Sequence, residues 1–192
     1  MKLLVGLGNM GEKHVDNRHN IGWKILSHWL LARGERFSEK AEFRGLVAKT
    51  NLGSDSAVCL LPLTYMNRSG EAVERVMNFY KIAIEDVVVL HDELDIPANS
   101  FRIKRGGGHG GHNGLRSIHP LGDAYLRLRL GIGRPPIAEM EVADFVLGNF
   151  TLAERSAWES VYGDVAQALE LCAKGLEAEA MHRFHTKPKV ST

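Results

Sequence analysis

The chain has 192 residues, 44% of them hydrophobic and 24% charged, with a formal net charge of +1. These values describe one ordinary globular domain with enough residues to bury a core, and they exclude a disordered or fibrous chain. No apolar run reaches membrane-span length, and so small a net charge points to no partner by itself.

Lys2-Leu3-Leu4-Val5 reads as a buried first strand. Gly6-Leu7-Gly8-Asn9-Met10-Gly11 follows it and matches the dinucleotide-binding pattern G-x-G-x-x-G. The stretch from Glu12 to Asn20 is polar and turn-like, however, where that fingerprint needs a helix to begin at once. A nucleotide-binding oxidoreductase is therefore disfavoured. The N-terminus reaches glycine too early for a signal peptide. Helical apolar spacing runs from Ile21 to Arg33 and stops at Gly34. Phe43 to Thr50 and Ala57 to Leu63 are expected strands joined by a hairpin loop at 51–56. Residues 63–70 then lead into a helix from about Glu71 to Lys81.

Val87-Val88-Val89-Leu90 is a continuous apolar run, as in a central parallel strand, and it leads into His91-Asp92. Phe101 to Lys104 alternates, with a basic face. The stretch Gly106-Gly107-Gly108-His109-Gly110-Gly111-His112-Asn113-Gly114 reads as a strand-to-helix turn that brings bare backbone close to a ligand. A short helix, Leu115 to Ile118, ends near Pro120. From Tyr125 to Ile132 leucines alternate with Arg127 and Arg129. Pro135-Pro136 is a loop. Thr151 to Glu154 spells a capping box that opens a helical region to about His185. Residues 186–192 are an expected disordered tail. The order of elements predicts an α/β fold: a single domain over residues 1–185 with a twisted mixed β-sheet and helices on both faces.

In open α/β sheets ligands bind beyond the carboxyl ends of the strands. Four strand exits carry polar residues: Asn9 with His19 and Asn20, then Tyr65-Met66-Asn67, then His91-Asp92, then the glycine stretch with His112 and Asn113. If those strands are neighbours, the groups converge. His19 held by Asp92 could then take a proton from water, and side-chain amides could orient a carbonyl or an oxyanion. Each residue also has a plain structural reading. His19 could be merely exposed, Asp92 a turn residue, Asn67 a helix cap in competition with Ser69, and Tyr65 and Met66 core. No G-x-S-x-G elbow is present. Cys59 and Cys172 sit in apolar surroundings and read as buried free thiols of a reducing compartment. His109 and His112 lack helical geometry in a glycine stretch, and no third ligand stands nearby in sequence, so no metal site is expected. From Phe101 to Arg134 seven basic residues face one acid, Asp123, which together with the glycine stretch suits a phosphate-bearing ligand.

Taken together, Gly6-Leu7-Gly8-Asn9, Arg18-His19-Asn20, residues 64–70, His91 to Asp95, Gly106 to Gly114 and Arg129 to Gly133 resemble the bacterial-type peptidyl-tRNA hydrolase family, over nearly the whole chain. The resemblance implies hydrolysis of the ester between a peptidyl or N-blocked aminoacyl group and the 3′ end of tRNA, recycling peptidyl-tRNA that leaves the ribosome. It also implies a cytoplasmic monomer with no cofactor, no metal, no membrane and no obligatory protein partner. By position, His19 would be the general base and Asp92 its partner, and Asn9 would discriminate blocked from free aminoacyl groups. Tyr65, Asn67 and Asn113 would contact the peptidyl-tRNA end, with Met66 and His112 in the same cleft, and Lys104 and Arg129 would clamp the tRNA 5′ phosphate. Two positions depart from the family pattern. Met10 replaces a proline, which loosens the turn holding Asn9, and His14 replaces a tyrosine associated with tRNA contact. The rival reading is a non-catalytic RNA-binding protein on the same fold.

Overall fold

The structure, a computed structural model, describes residues 1–185; the expected tail lies outside the described residues. The first strand, β1 (Lys2–Gly6), passes through two single-turn 3-10 segments, Glu12–His14 and Arg18–Asn20, into α1 (Ile21–Ala32). Polar turns thus stand where a dinucleotide-binding helix would start. Next come β2 (Ser38–Lys40), β3 (Gly45–Leu52), β4 (Asp55–Pro62), α2 (Ser69–Tyr80) and β5 (Val87–Glu93). They are followed by β6 (Phe101–Arg105), α3 (Asn113–Ile118), β7 (Leu126–Gly131), α4 (Val142–Leu147), α5 (Leu152–Ala173) and α6 (Glu177–Phe184).

The seven strands form one mixed sheet in the order β2-β3-β4-β1-β5-β7-β6. Around β1 the pairing is parallel with both β4 and β5, and β5 pairs in parallel with β7. Strand β3 is antiparallel to both β2 and β4, and the edge strand β6 is antiparallel to β7. The two faces separate by strand parity. Leu4, Leu90 and Leu128 point to α1 and α5 with Trp29, Trp158 and Leu169, whereas Val5, Val89 and Leu60 point to α2 and α3 with Val73, Val76 and Leu115. Helices therefore cover both faces, as expected.

Several boundaries differ from the sequence expectation. The β3–β4 hairpin closes with a two-residue turn, Gly53-Ser54, and Gly53 at φ +80° lets both strands run two residues further than the polar composition suggested. Phe43 belongs to a 3-10 turn, and β3 starts at Gly45. His91 and Asp92 are the last part of β5 and do not follow it. The short helix after the glycine stretch begins at Asn113 because the His112 side chain caps it. The capping box at Thr151 is present, but the C-terminal helical region is two helices, α5 and α6. Neither β2 nor α4 was foreseen. Cys59 and Cys172 are free and buried, and burial pushes both thiols up to about 12.

Candidate active site

The carboxyl ends of β1, β4, β5 and β7 share one edge of the sheet, and a hollow of about 980 Å³ opens there. The strand-exit argument holds for β1, β4 and β5 and fails for β6. Because β6 is antiparallel, its carboxyl end lies at the opposite edge, and Gly106 N–H donates to Tyr125 O just before β7. The glycine stretch must then travel back along the sheet to deliver His112 and Asn113 to the hollow.

His19 stands in the turn just before α1. That helix is pressed onto the sheet because Gly22 has no side chain: a Cβ there would meet Leu90 O at 2.3 Å. This contact brings His19 beside the end of β5. His19 Nδ1–H donates to Asp92 Oδ1 at 2.8 Å, and His112 Nε2–H donates to the same oxygen at 2.9 Å. The tautomer of His112 follows from its other nitrogen, which accepts from the Gly114 and Leu115 N–H groups. His91, fully buried, donates Nδ1–H to Asp92 O, and burial holds its pKa down to about 3, so it is neutral.

Asp92 is ionised. Burial would raise its pKa, but the two imidazoles outweigh it and hold the carboxyl well below the usual carboxylate range. For His19, burial disfavours the cation, yet the Asp92 charge and hydrogen bond outweigh it and the net shift is upward. With Nδ1 committed to the carboxylate, His19 keeps Nε2 as a lone pair. Donor atoms of His19, Asp92 and His112 lie within 4.8 Å of one another, so the fold supplies His112 with the neighbours that the local sequence lacks. The two imidazoles and the carboxylate they share form one hydrogen-bonded cluster.

Asn9 is held on three sides. Its N–H donates to Asn20 Oδ1, its carbonyl accepts from Asn20 Nδ2, and its Oδ1 accepts from Met66 N–H, each at 2.9 Å. Met10 therefore does not leave Asn9 loose, and the Asn9 NH₂ is the part of the side chain left for a ligand. Asn67 lines the hollow and caps nothing, since α2 has no side-chain cap. Met66 is both core and wall, and Tyr65, 60% exposed, stands on the rim. Asn113 is an exposed part of the same lining, with Oδ1 accepting from Arg116. Lys104 and Arg129 reach the same hollow, where Arg129 is paired with Glu93 at 2.9 Å.

Of the site residues expected from sequence, the structure leaves only His14 out of this hollow. Its Nδ1–H donates to Asn17 Oδ1 at 2.6 Å on the neighbouring turn. Sequence reasoning missed the apolar part of the hollow's wall, formed by Val142, Val146 and Leu147 of α4. The helical spacing of Val142, Phe145 and Val146 was the available signal.

A carboxylate-held imidazole with a free nitrogen, beside side-chain amides and without an activated thiol, is the equipment of a hydrolase that works directly through water. The family described as peptidyl-tRNA hydrolase matches residues 3–191. The peptidyl-tRNA hydrolase of Sorangium cellulosum is 44% identical over 98% of this chain and 86% of its own length. That of Syntrophotalea carbinolica is 43% identical over 97% and 98%. The crystal structure of peptidyl-tRNA hydrolase from Acinetobacter baumannii superposes with a TM-score of 0.91 at 37% identity, covering 97% of this chain and 95% of that one. The chain belongs to the peptidyl-tRNA hydrolase family and is an ester-bond hydrolase.

Proposed function

We infer that the protein hydrolyses the ester joining a peptidyl or N-blocked aminoacyl group to the 3′ ribose of tRNA, with His19 as general base. Nε2 of His19 takes a proton from water as the water oxygen bonds to the ester carbonyl carbon. The Asp92 carboxylate stabilises the imidazolium that forms. The Asn9 NH₂, with Asn67 and Asn113 nearby, donates to the carbonyl oxygen as it becomes an oxyanion. The imidazolium then returns its proton to the ribose 3′ oxygen as the C–O bond breaks, so no covalent enzyme intermediate is needed. The observation that carries this reading is the His19–Asp92 bond at 2.8 Å, which leaves Nε2 free beside the held Asn9 amide.

The remaining assignments are part of the same proposal. Tyr65, Asn67, Asn113, Met66 and His112 receive the peptidyl-tRNA end, Lys104 and Arg129 hold the 5′ phosphate, and His14 touches tRNA outside the hollow. The apolar α4 wall suits peptide side chains. The protein works in the cytoplasm as a monomer with residues 1–185 as one domain; among the described residues no helix is long and apolar enough to cross a membrane. No observation favours the non-catalytic reading, because the cluster is complete. The test is turnover of N-acetyl-aminoacyl-tRNA by His19→Ala. We expect an unchanged circular dichroism spectrum and a loss of at least 10²–10⁴-fold, roughly the range for a lost acid–base group. Turnover near that of the unmodified protein would remove His19 from the mechanism.

A further inference from the structure

The β6–β7 pair carries an arrangement that the active-site reading does not explain. Lys104 stands directly opposite Arg127, and Arg102 directly opposite Arg129. Like charges at opposed positions of an antiparallel pair are unfavourable. Glu93 neutralises Arg129. Lys104 and Arg127 have no such partner: neither forms an ion pair among the described residues. Their cationic atoms crowd the same point. A Cβ built on Gly107 would lie 2.7 Å from an Arg127 terminal nitrogen and 3.1 Å from Lys104 Nζ.

Arg127 is buried, with Nε unpartnered, and its two terminal nitrogens donate to backbone carbonyls of the glycine stretch, to Gly108 O at 2.9 Å and to Gly106 O. In a trans peptide the N–H points opposite to the C=O. With those two carbonyls drawn onto Arg127, the N–H groups of Gly107 and His109 are turned away from it. The N–H groups of Gly107, Gly108, His109 and Gly110 donate to no protein acceptor among the described residues. Positive φ at Gly106 and Gly107, +67° and +89°, makes this path open to glycine and strained for other residues. Free amides in succession, backed by unneutralised cations, form an anion-binding concavity.

We propose that Arg127 is a positioning residue of this seat: it holds the glycine stretch with its amides outward and, with Lys104, supplies the charge that binds the terminal 5′ phosphate of tRNA. This rests on reading the ligand as tRNA and extends the clamp beyond Lys104 and Arg129. Arg129 already has a carboxylate to exchange, whereas the charge of Arg127 has none.

The experiment compares N-acetyl-aminoacyl-tRNA with and without its 5′ phosphate, using the unmodified protein, Arg127→Gln and Arg127→Lys. Removing the phosphate should raise KM of the unmodified protein about tenfold, the scale of one charged hydrogen bond. Arg127→Gln should raise KM about tenfold for the phosphorylated substrate only, so that the two substrates become alike, with kcat changed by less than that. Arg127→Lys should keep part of the discrimination. In parallel, inorganic phosphate is titrated into the unmodified protein, and the backbone amides of Gly107 to Gly110 should shift in NMR spectra. Equal increases in KM for both substrates, full discrimination surviving in Arg127→Gln, or unmoved amides would each overturn the proposal. Indifference of the unmodified protein to the 5′ phosphate would overturn the proposal together with the Lys104–Arg129 assignment, while turnover of both substrates would leave the hydrolase reading standing. If Arg127→Gln fails to fold, the two-substrate comparison and the amide shifts of the unmodified protein still decide.

Discussion

One oxygen of Asp92 accepts from both His19 and His112, so this carboxylate sets the state of two imidazoles at once. Its effect on His19 has a sign that can be tested. Catalysis needs the neutral imidazole, and the folded pKa lies above 6.5, so kcat should fall as pH drops through that raised value. Asp92→Asn removes the raising influence and leaves burial, which lowers. The acidic limb should then move to lower pH while kcat falls on the order of 10²–10⁴-fold, measured as a full pH–rate profile. Linkage gives the matching stability terms. The raised His19 contributes stability that is present below 6.5 and lost as pH rises through its folded pKa. The depressed Asp92 contributes stability that is present above 3.8 and lost as acid protonates it. His91, at about 3, should show no titration in NMR spectra anywhere in the neutral range.

At the scale of elements, the first turn of α1 is the part on which the site most depends. Leu7 N–H donates to Leu90 O and Trp23 N–H to Leu7 O, so β1, β5 and α1 meet around Gly22 with no room for a methyl group. Gly22→Ala should cost about 1–3 kcal/mol by overpacking, read by thermal denaturation. It should also lower kcat, because His19 and Asn20 lie immediately before that turn. Much of this level was legible in the sequence, and the physical reason differs by element. The apolar run 87–90 marks a strand buried on both faces, and the spacing of Ile21, Ile25 and Trp29 marks a helix with one buried stripe. Polar residues at three strand exits could be placed together because parallel strands share an edge. The direction of β6 was not legible, since alternation is the same for either direction and only pairing with β7 decides it. The part His112 plays was hidden for the same reason: its neighbours in space, Asp92 and His19, are supplied by other elements. Residues 142–147 escaped notice because the helical spacing of Val142, Phe145 and Val146 covers little more than one turn, too short to mark a helix by itself.

At the scale of the molecule, a net charge of +1 conceals a basic β6–β7 face balanced by acids elsewhere. For a tRNA substrate, log(kcat/KM) should fall with log salt at a slope of roughly −0.7 to −0.9 per phosphate contacted, whereas a short N-acyl-aminoacyl nucleoside ester should be nearly insensitive. Equal slopes for the two substrates would deny the basic face a part in binding. The connection between the apolar wall and the turn that bears His19 joins segments far apart in the chain. The Asn17 side chain donates to Asn149 at 2.8 Å, Arg18 N–H to Gly148 O at 3.0 Å and Phe150 N–H to Asp16 O at 2.9 Å. The Arg18 guanidinium lies over Phe145, 4.5 Å from the ring centroid, and pairs with Glu154. The next residue along is His19. The end of α4 and the strand-like segment after it are therefore tied to the peptide that bears the base. Loosening one should loosen the other, so deuterium uptake at residues 142–150 should rise together with uptake at 16–19 when Arg18→Ala cuts the connection.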